Sequence, residues 1–327
     1  MKMKGKIGLE EHFAIQETLG DSERYFPKDV WPKFSARIMD LMKERIEEMD
    51  AGGMDMMILS LNSPAIQAIY DPARAVEVAK KANDTMAEAI AKNSKRFRGF
   101  AALPLQDVDA AIIEMQRAVK DLGCVGVLVN GYSQIGDPDS YKYLDDPIYE
   151  PFWAELEKLD VPFYMHPRDM MPCNAHSVDG HPWLFGAAWT FGVETATHTL
   201  RLLCSGLWDR HPHLKYILGH LGETLPFCIW RVDSRIAIER RGVPAKRPLY
   251  EYMAENFWFT TSGQFRTPAL WNTMTEFSSS HVLFATDFPF EEVSVACEWF
   301  DNCSIGDLDK ELIGRQNSVD LFRLKDL

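Results

Sequence analysis

The sequence predicts an α/β fold, a (β/α)8 TIM barrel, and three observations carry that reading. Short apolar, β-rich runs alternate with stretches of helical periodicity eight times along the chain. At 327 residues there is room for eight strand–helix units in one domain. No Gly-x-Gly-x-x-Gly follows any of the eight runs, which removes the dinucleotide-binding form of an open, doubly wound sheet.

The predicted strands are residues 6–9, 54–61, 97–103, 125–130, 161–165, 215–219, 257–261 and 282–286. After the first comes a loop with Tyr25, Phe26 and Trp31, then a helix over 36–49 whose Ile38, Leu41, Ile46 and Met49 share a face. Helices over 74–93, 107–122 and 149–159 follow the second, third and fourth strands. A stretch rich in Pro and Gly, 167–192, separates the fifth strand from a helix at 193–205. Helices at 225–239, 267–277 and 291–300 complete the alternation, and one at 307–322 ends it. No internal repeat, low-complexity tract or linker divides the chain, so residues 1–327 are expected to form a single domain.

Composition excludes several classes of function. Forty-eight acidic residues against 35 basic ones give a net charge of -13, which repels a phosphate backbone, so no nucleic-acid partner is expected. The start, MKMKGKIGLEEHF, is interrupted by Glu10 and Glu11 and does not read as a secretory signal. No stretch approaches the roughly 20 apolar residues of a membrane helix, so no membrane partner is expected. The six cysteines form no Cys-x-x-Cys pair, which reads as reduced thiols in a cytoplasmic protein.

In such a barrel the reactive groups stand at the carboxyl ends of the strands. Four of those ends carry histidine or a carboxylate: Glu10, Glu11 and His12 after the first strand, His166 after the fifth, His220 and Glu223 after the sixth, and Asp287 after the eighth. Taken singly, a histidine after a strand is more often a hydrogen-bonded structural residue. Four at one end outweigh that reading, because nitrogen and oxygen donors converging from several strands suit a divalent ion such as Zn(II) or Mn(II). His211, His213 and His281 precede strands and His198 lies in a helix, so these four are read as structural or surface residues. His176 and His181, in the loop over the barrel mouth, are read as substrate contacts or as solvated loop residues.

The segments Glu10-Glu11-His12, Phe163-Tyr164-Met165-His166-Pro167, Ile217-Leu218-Gly219-His220-Leu221-Gly222-Glu223 and Phe284-Ala285-Thr286-Asp287-Phe288-Pro289 resemble the amidohydrolase superfamily. More narrowly they are similar to its nonoxidative aromatic-acid decarboxylases, and residues 10–19 and 179–184 resemble the members acting on 2,6-dihydroxybenzoate. The resemblance covers essentially the whole chain. It implies an amidohydrolase-type barrel and one divalent ion, Zn(II) or Mn(II), held by Glu10, His166 and Asp287, with His12 nearby or as a fourth ligand. No organic cofactor is implied, and assembly as a homodimer or homotetramer is.

Superfamily hydrolases begin with His-x-His, whereas this chain has Glu10-x-His12 and no lysine at the end of its fourth strand. A carboxylate in place of imidazole makes the ion less electron-poor, which favours an anionic, chelating substrate over hydroxide generation. The implied reaction is therefore reversible decarboxylation of an ortho-hydroxybenzoate, a small aromatic acid. 2,3-Dihydroxybenzoate, salicylate and 5-carboxyvanillate remain alternative substrates, and amide or lactone hydrolysis an alternative reaction.

By the same resemblance the proton delivered to the ring carbon comes from Asp287, and Arg231 contacts the acidic substrate; an aspartate beside a metal is a poor resting acid, so Asp287 is expected to take the phenolic proton first. Arg231 could equally be a surface arginine paired with Asp233 or Glu239. Glu223, three residues from His220, either orients that imidazole or caps the following segment; Asn130 either donates to a substrate hydroxyl or caps the turn before Gly131. Tyr25, Phe26 and Trp31 form either a wall for a flat ring or core packing, and at Tyr25 this chain has a hydroxyl where the similar decarboxylases have phenylalanine.

Overall fold

In this computed structural model, which describes residues 2–324, the eight apolar runs form parallel strands paired in chain order. They are β1 (Lys6–Phe13), β2 (Met54–Leu61), β3 (Phe97–Ala101), β4 (Gly126–Asn130), β5 (Phe163–His166), β6 (Tyr216–Leu218), β7 (Phe257–Thr260) and β8 (Val282–Leu283). The strands curl into a nearly closed barrel. Between β8 and β1 the contact is sparse: a bridge between Leu9 and Ala285, with the Leu9 amide donating to the Phe284 carbonyl at 3.1 Å.

Helices lie outside the strands: α1 (Trp31–Met39), α2 (Glu44–Gly52), α3 (Pro72–Lys92), α4 (Val108–Lys120), α5 (Glu150–Leu159), α6 (Thr190–Cys204) and α7 (Leu207–Arg210). After β6 come α8 (Leu225–Ile238), α9 (Leu249–Asn256), α10 (Thr267–Phe277), α11 (Val293–Asn302), α12 (Asp307–Glu311) and α13 (Asn317–Phe322). Strand faces turned inward contribute Ile7, Leu9, Met56, Ile58, Phe100, Leu128, Tyr164, Ile217 and Leu283, while Leu321, Phe322 and Leu324 join them near Val125 and Trp258, at the amino end. Outward faces, among them Met57, Leu59, Val127, Val129, Phe163 and Phe259, pack under the helices. Burial on both faces explains why the strands read as continuous apolar runs rather than as an alternation.

Two departures from the sequence reading bear on the site. The first strand continues through Phe13, so Glu10, Glu11 and His12 lie inside it rather than after it. Its register against β2 shifts between Gly8 and Glu11, where three steps of β1 oppose two of β2. This one-residue bulge lets Ile7 and Leu9 face the core and still turns both Glu10 and His12 inward. The helix expected over 36–49 is two helices, broken at Asp40, whose carboxylate accepts the amides of Met42, Lys43, Glu44 and Arg45. Side-chain capping of this kind ends one helix and starts another without any interruption in apolar periodicity.

Candidate active site

At the carboxyl end of the barrel, Glu10 and His12 from β1, His166 from β5, and His220 and Asp287 from the loops after β6 and β8 meet around one point. Glu10 Oε1 lies 3.1 Å from His166 Nε2 and 3.5 Å from His220 Nε2. His12 Nε2 is 3.5 Å from Asp287 Oδ1, and His220 Nε2 is 3.9 Å from Asp287 Oδ2. Glu10, His12 and His166 form one group able to hold a metal ion, and Glu10, His220 and Asp287 form another that overlaps it. Glu10 Oε1 and His12 Nε2 are buried without a hydrogen-bond partner, a costly state for polar atoms unless something between them supplies the interaction. Two carboxylates and neutral imidazoles are donors that suit a borderline divalent cation, so the residues fit the ion the sequence implies.

Electrostatics agree with that fit. Burial alone would raise the Glu10 carboxyl, but His220, His166 and His12 hold it well below the usual carboxylate range. Burial pushes His166 down, leaving the neutral ring a metal requires. Burial would also lower His220, yet Glu223, Glu10 and Asp287 together hold it well above the ordinary histidine value.

The surrounding residues fix these groups in place. Tyr164 donates to Glu10 Oε2, and the Thr260 hydroxyl, 2.8 Å from the Tyr164 hydroxyl, reaches the same oxygen at 3.3 Å, which leaves Oε1 to face the centre. Ser60 Oγ lies 3.1 Å from His12 Nδ1, turning Nε2 inward. Glu223 Oε1 lies 2.6 Å from His220 Nδ1, so Glu223 orients the imidazole. Glu11 points out of the barrel and clasps β1 to the β8 loop, accepting the Thr286 amide at 3.0 Å and the Thr286 hydroxyl at 2.5 Å. A side chain on Gly8 would meet Glu11 Oε1 at 2.4 Å, so this clasp requires glycine there.

The backbone is strained at the same positions. Glu10, His220 and Asp287 have φ values of 60°, 52° and 66°, left-handed conformations that non-glycine residues avoid. Such outliers persist only where surrounding contacts enforce them, and they cluster at functional sites.

Beside the five residues lies a pocket of about 310 Å³ lined by Tyr25, Phe26, Phe185, Phe191 and Phe290, among others. The pocket has the size and largely apolar wall expected for a small ligand. Tyr25 contributes its ring, while its hydroxyl donates to Asp169 Oδ2 at 2.5 Å and accepts from Arg24 at 2.6 Å. The hydroxyl is thus engaged, and the ring lines the pocket. Phe26 lines the pocket and also stacks on Phe34 at 3.8 Å between ring centres; Trp31 belongs to the packing behind it.

Two of the expected substrate contacts do not stand in the pocket wall of this single chain. Asn130 Nδ2 donates to the Asn62 and Pro64 carbonyls, tying the loop after β2 to β4, and Asn130 does not line the pocket. Arg231 lies on the exposed face of α8, outside the pocket, because the helix turns that face to solvent together with Phe227 and Trp230. Its suggested partners are engaged elsewhere, Asp233 with the Leu249 and Tyr250 amides and Glu239 with Arg241. In the loop over the barrel mouth, His176 and His181 are exposed, and His176 pairs with Asp179.

Comparison with known proteins matches these observations. The amidohydrolase family model matches residues 29–324, and the chain belongs to that family. The gamma-resorcylate decarboxylase of Rhizobium sp. (strain MTP-10005) is 52% identical over 324 residues, 98% of this chain and 99% of that protein. A crystal structure of 2,6-dihydroxybenzoate decarboxylase complexed with 2,6-dihydroxybenzoate superposes with a TM-score of 0.96 at 52% identity, covering 98% of this chain and 100% of the other. The dihydroxybenzoic acid decarboxylase of Polaromonas sp. JS666, solved with manganese and the inhibitor 2-nitroresorcinol, has a TM-score of 0.97 at 50% identity, covering 99% and 98%.

Proposed function

We infer that the protein catalyses the nonoxidative, reversible decarboxylation of an ortho-hydroxybenzoate, with 2,6-dihydroxybenzoate giving resorcinol and carbon dioxide. The observation that carries this reading is the juxtaposition of unpartnered Glu10 Oε1 and His12 Nε2 with an aromatic-walled pocket holding Asp287 and His220. Glu10, His12, His166 and Asp287 would hold one Mn(II) or Zn(II). The ion, when bound, supplies the positive charge at which a carboxylate and its ortho phenolate can be chelated together.

Loss of carbon dioxide directly from an aryl carboxylate would leave an sp2 carbanion, so the ring carbon must be protonated first. Asp287 accepts the proton of the ortho hydroxyl as substrate enters. The phenolate pushes electron density onto the carboxyl-bearing carbon, and Asp287 returns the proton there. Cleavage of the carbon–carbon bond then restores the aromatic sextet and releases carbon dioxide. His220, oriented by Glu223, stands beside Asp287 and stabilises negative charge at the carboxylate end of the ring. Tyr25, Phe26 and Phe191 hold the ring plane.

Assembly into a homodimer or homotetramer is supported by the exposed Phe227, Trp230 and Trp189. Arg231 shares the α8 face, so it would meet a substrate only where that face covers the pocket of another copy. Placement in the cytoplasm is supported by the free cysteines. Among the described residues no helix is long and apolar enough to cross a membrane.

The test is a panel of hydroxybenzoates offered to the manganese-loaded protein, with trapping of released carbon dioxide. Ortho-hydroxylated acids should react, incorporating one deuterium at the former carboxyl position in heavy water, and concentrated bicarbonate should drive the reverse reaction. Carbon dioxide from 4-hydroxybenzoate at a rate similar to 2,6-dihydroxybenzoate would remove the chelation argument. Amide or ester cleavage without decarboxylation would instead make the protein a hydrolase.

A further inference from the structure

β8 ends at Leu283, and the segment that carries on to Asp287 is held largely by side chains of its two neighbours. On the β7 side, the Thr261 hydroxyl accepts the Ala285 amide at 2.9 Å and donates to the Ala285 carbonyl at 3.0 Å. On the β1 side, Glu11 takes both donors of Thr286, the amide at 3.0 Å and the hydroxyl at 2.5 Å. One residue beyond Asp287, the Phe288 carbonyl accepts the His12 amide at 2.6 Å. The Phe288 ring lies 4.2 Å from the guanidinium of buried Arg45, which donates to the His12 carbonyl. The residues on either side of Asp287 are thus each anchored to β1, at Glu11 and at His12.

Asp287 itself has a φ of 66°, a conformation that an aspartate leaves unless its flanks are held. In that conformation its carboxylate stands 3.5 Å from His12 Nε2 through Oδ1 and 3.9 Å from His220 Nε2 through Oδ2. A change of backbone angle at Thr286 or Asp287 would swing the carboxylate off both rings. Glu11 and Thr286 are fully buried, so water does not replace their bonds when one partner is lost. The bulge in β1 turns Glu10 and His12 inward and leaves Glu11 between them facing out, where its carboxylate meets the chain next to Asp287.

We propose that Glu11 is a positioning residue, which acts through Thr286 to set the turn that presents Asp287 to the metal site and the substrate. Its part in proton delivery rests on the decarboxylase reading; its part in holding Asp287 as a metal ligand does not.

The experiment compares wild type with Thr286→Val, which removes the hydroxyl at nearly constant shape, Thr286→Ser, which restores it, and Glu11→Gln, which approaches the same contact from β1. Manganese affinity is measured by titration of the metal-free proteins, and kcat and KM for 2,6-dihydroxybenzoate at saturating manganese. In Thr286→Val both manganese affinity and kcat should fall by about 10- to 100-fold, the size expected when a group that orients a metal ligand is lost, with KM within about threefold. Thr286→Ser should recover most of that loss. The pair Glu11→Gln and Thr286→Val should lose less than the product of the single losses, because both act on one contact.

A Thr286→Val protein that melts lower but keeps kcat and manganese affinity within about twofold would reduce the contact to a purely structural one and overturn the assignment, as would equal losses in Thr286→Ser. Losses that multiply in the double variant would overturn it too, since Glu11 and Thr286 would then act separately. Wild type that releases no carbon dioxide from any hydroxybenzoate, while Thr286→Val still weakens manganese binding, would sink the decarboxylase reading and leave Glu11 as a positioning residue for the ligand. An active wild type matched by Thr286→Val in both measurements would do the reverse.

Discussion

His12 and His166, inside the barrel's carboxyl rim, and His211 and His281, at its amino rim, are the same residue in opposite circumstances. His12 Nε2 and His166 Nδ1 lack hydrogen-bond partners, and Nε2 of each ring is aimed at a shared point. His211 bridges Glu150 at 2.8 Å and Glu157 at 3.3 Å, and His281 Nδ1 donates to the Phe257 carbonyl at 2.6 Å. Buried His198, on α6, uses Nε2 to accept the Leu144 amide at 2.9 Å and leaves Nδ1 without a partner, but among the described residues no carboxylate or second imidazole converges on it. Residue type therefore says little here. What separates the two sets is convergence: His12 and His166 share one point with a carboxylate from another element, and His211 and His281 do not.

The sharpest way to break this comparison is to truncate one histidine from each rim. His166→Ala should lose bound manganese by elemental analysis and at least about a thousandfold in rate, or about 4 kcal/mol of barrier. His211→Ala should keep its metal and its rate within about twofold while melting a few degrees lower, since it gives up hydrogen bonds to two carboxylates. A fully metallated, active His166→Ala would dissolve the distinction between the rims.

Asp287→Asn retains the size of the side chain but cannot carry the proton, so turnover should fall by more than a thousandfold with a cooperative melt preserved. More than about a tenth of the wild-type rate would exclude it as the acid.

Tyr164→Phe sharpens the comparison at the metal site by removing the donor that sets Glu10 Oε2. Manganese affinity should drop by about 10- to 100-fold, and an unchanged affinity would mean that Thr260 alone positions the carboxylate.

The effect furthest from the metal site belongs to His198, whose ring burial, with a smaller push from Arg201, pulls down to about 3. Because the unfolded chain protonates this residue near pH 6.5 and the folded protein resists doing so, the neutral ring's contribution is complete above pH 6.5. It is lost as pH falls from 6.5 toward 3. Urea midpoints should decline over that interval, and His198→Gln should flatten the decline.

The site's acids and imidazoles were legible because each follows an apolar run at the same end of a strand–helix unit, as His166 follows Phe163-Tyr164-Met165. Tyr164 and Thr260 were not, because a tyrosine or threonine inside a strand looks like core; only the barrel's closure brings their hydroxyls to Glu10. The one available signal was the inward parity of Tyr164, one residue before outward-facing Met165. Glu291 read as the start of a helix, whereas α11 begins at Val293 and leaves Glu291 at the rim. Asn130 and Arg231 stand outside the pocket wall for a common reason. Position along a strand or helix fixes where a residue stands but not which neighbour takes its side chain, and for Asn130 two carbonyls did.

The sparse contact between β8 and β1 gives the ion a mechanical part as well as a chemical one. Glu10 and His12 stand on one side of that junction and Asp287 on the other. A cation gripped from both sides would add a further tie to those made there by the Leu9–Ala285 bridge, the Glu11–Thr286 clasp and the His12 amide on the Phe288 carbonyl. Local opening in the metal-free protein should therefore begin there, and the amides of Leu9, His12 and Thr286 should exchange with solvent hydrogen faster than when manganese is bound. Losing the ion would thus loosen the frame that holds its own ligands in register, which makes reloading a step of reassembly rather than simple filling of a rigid cup.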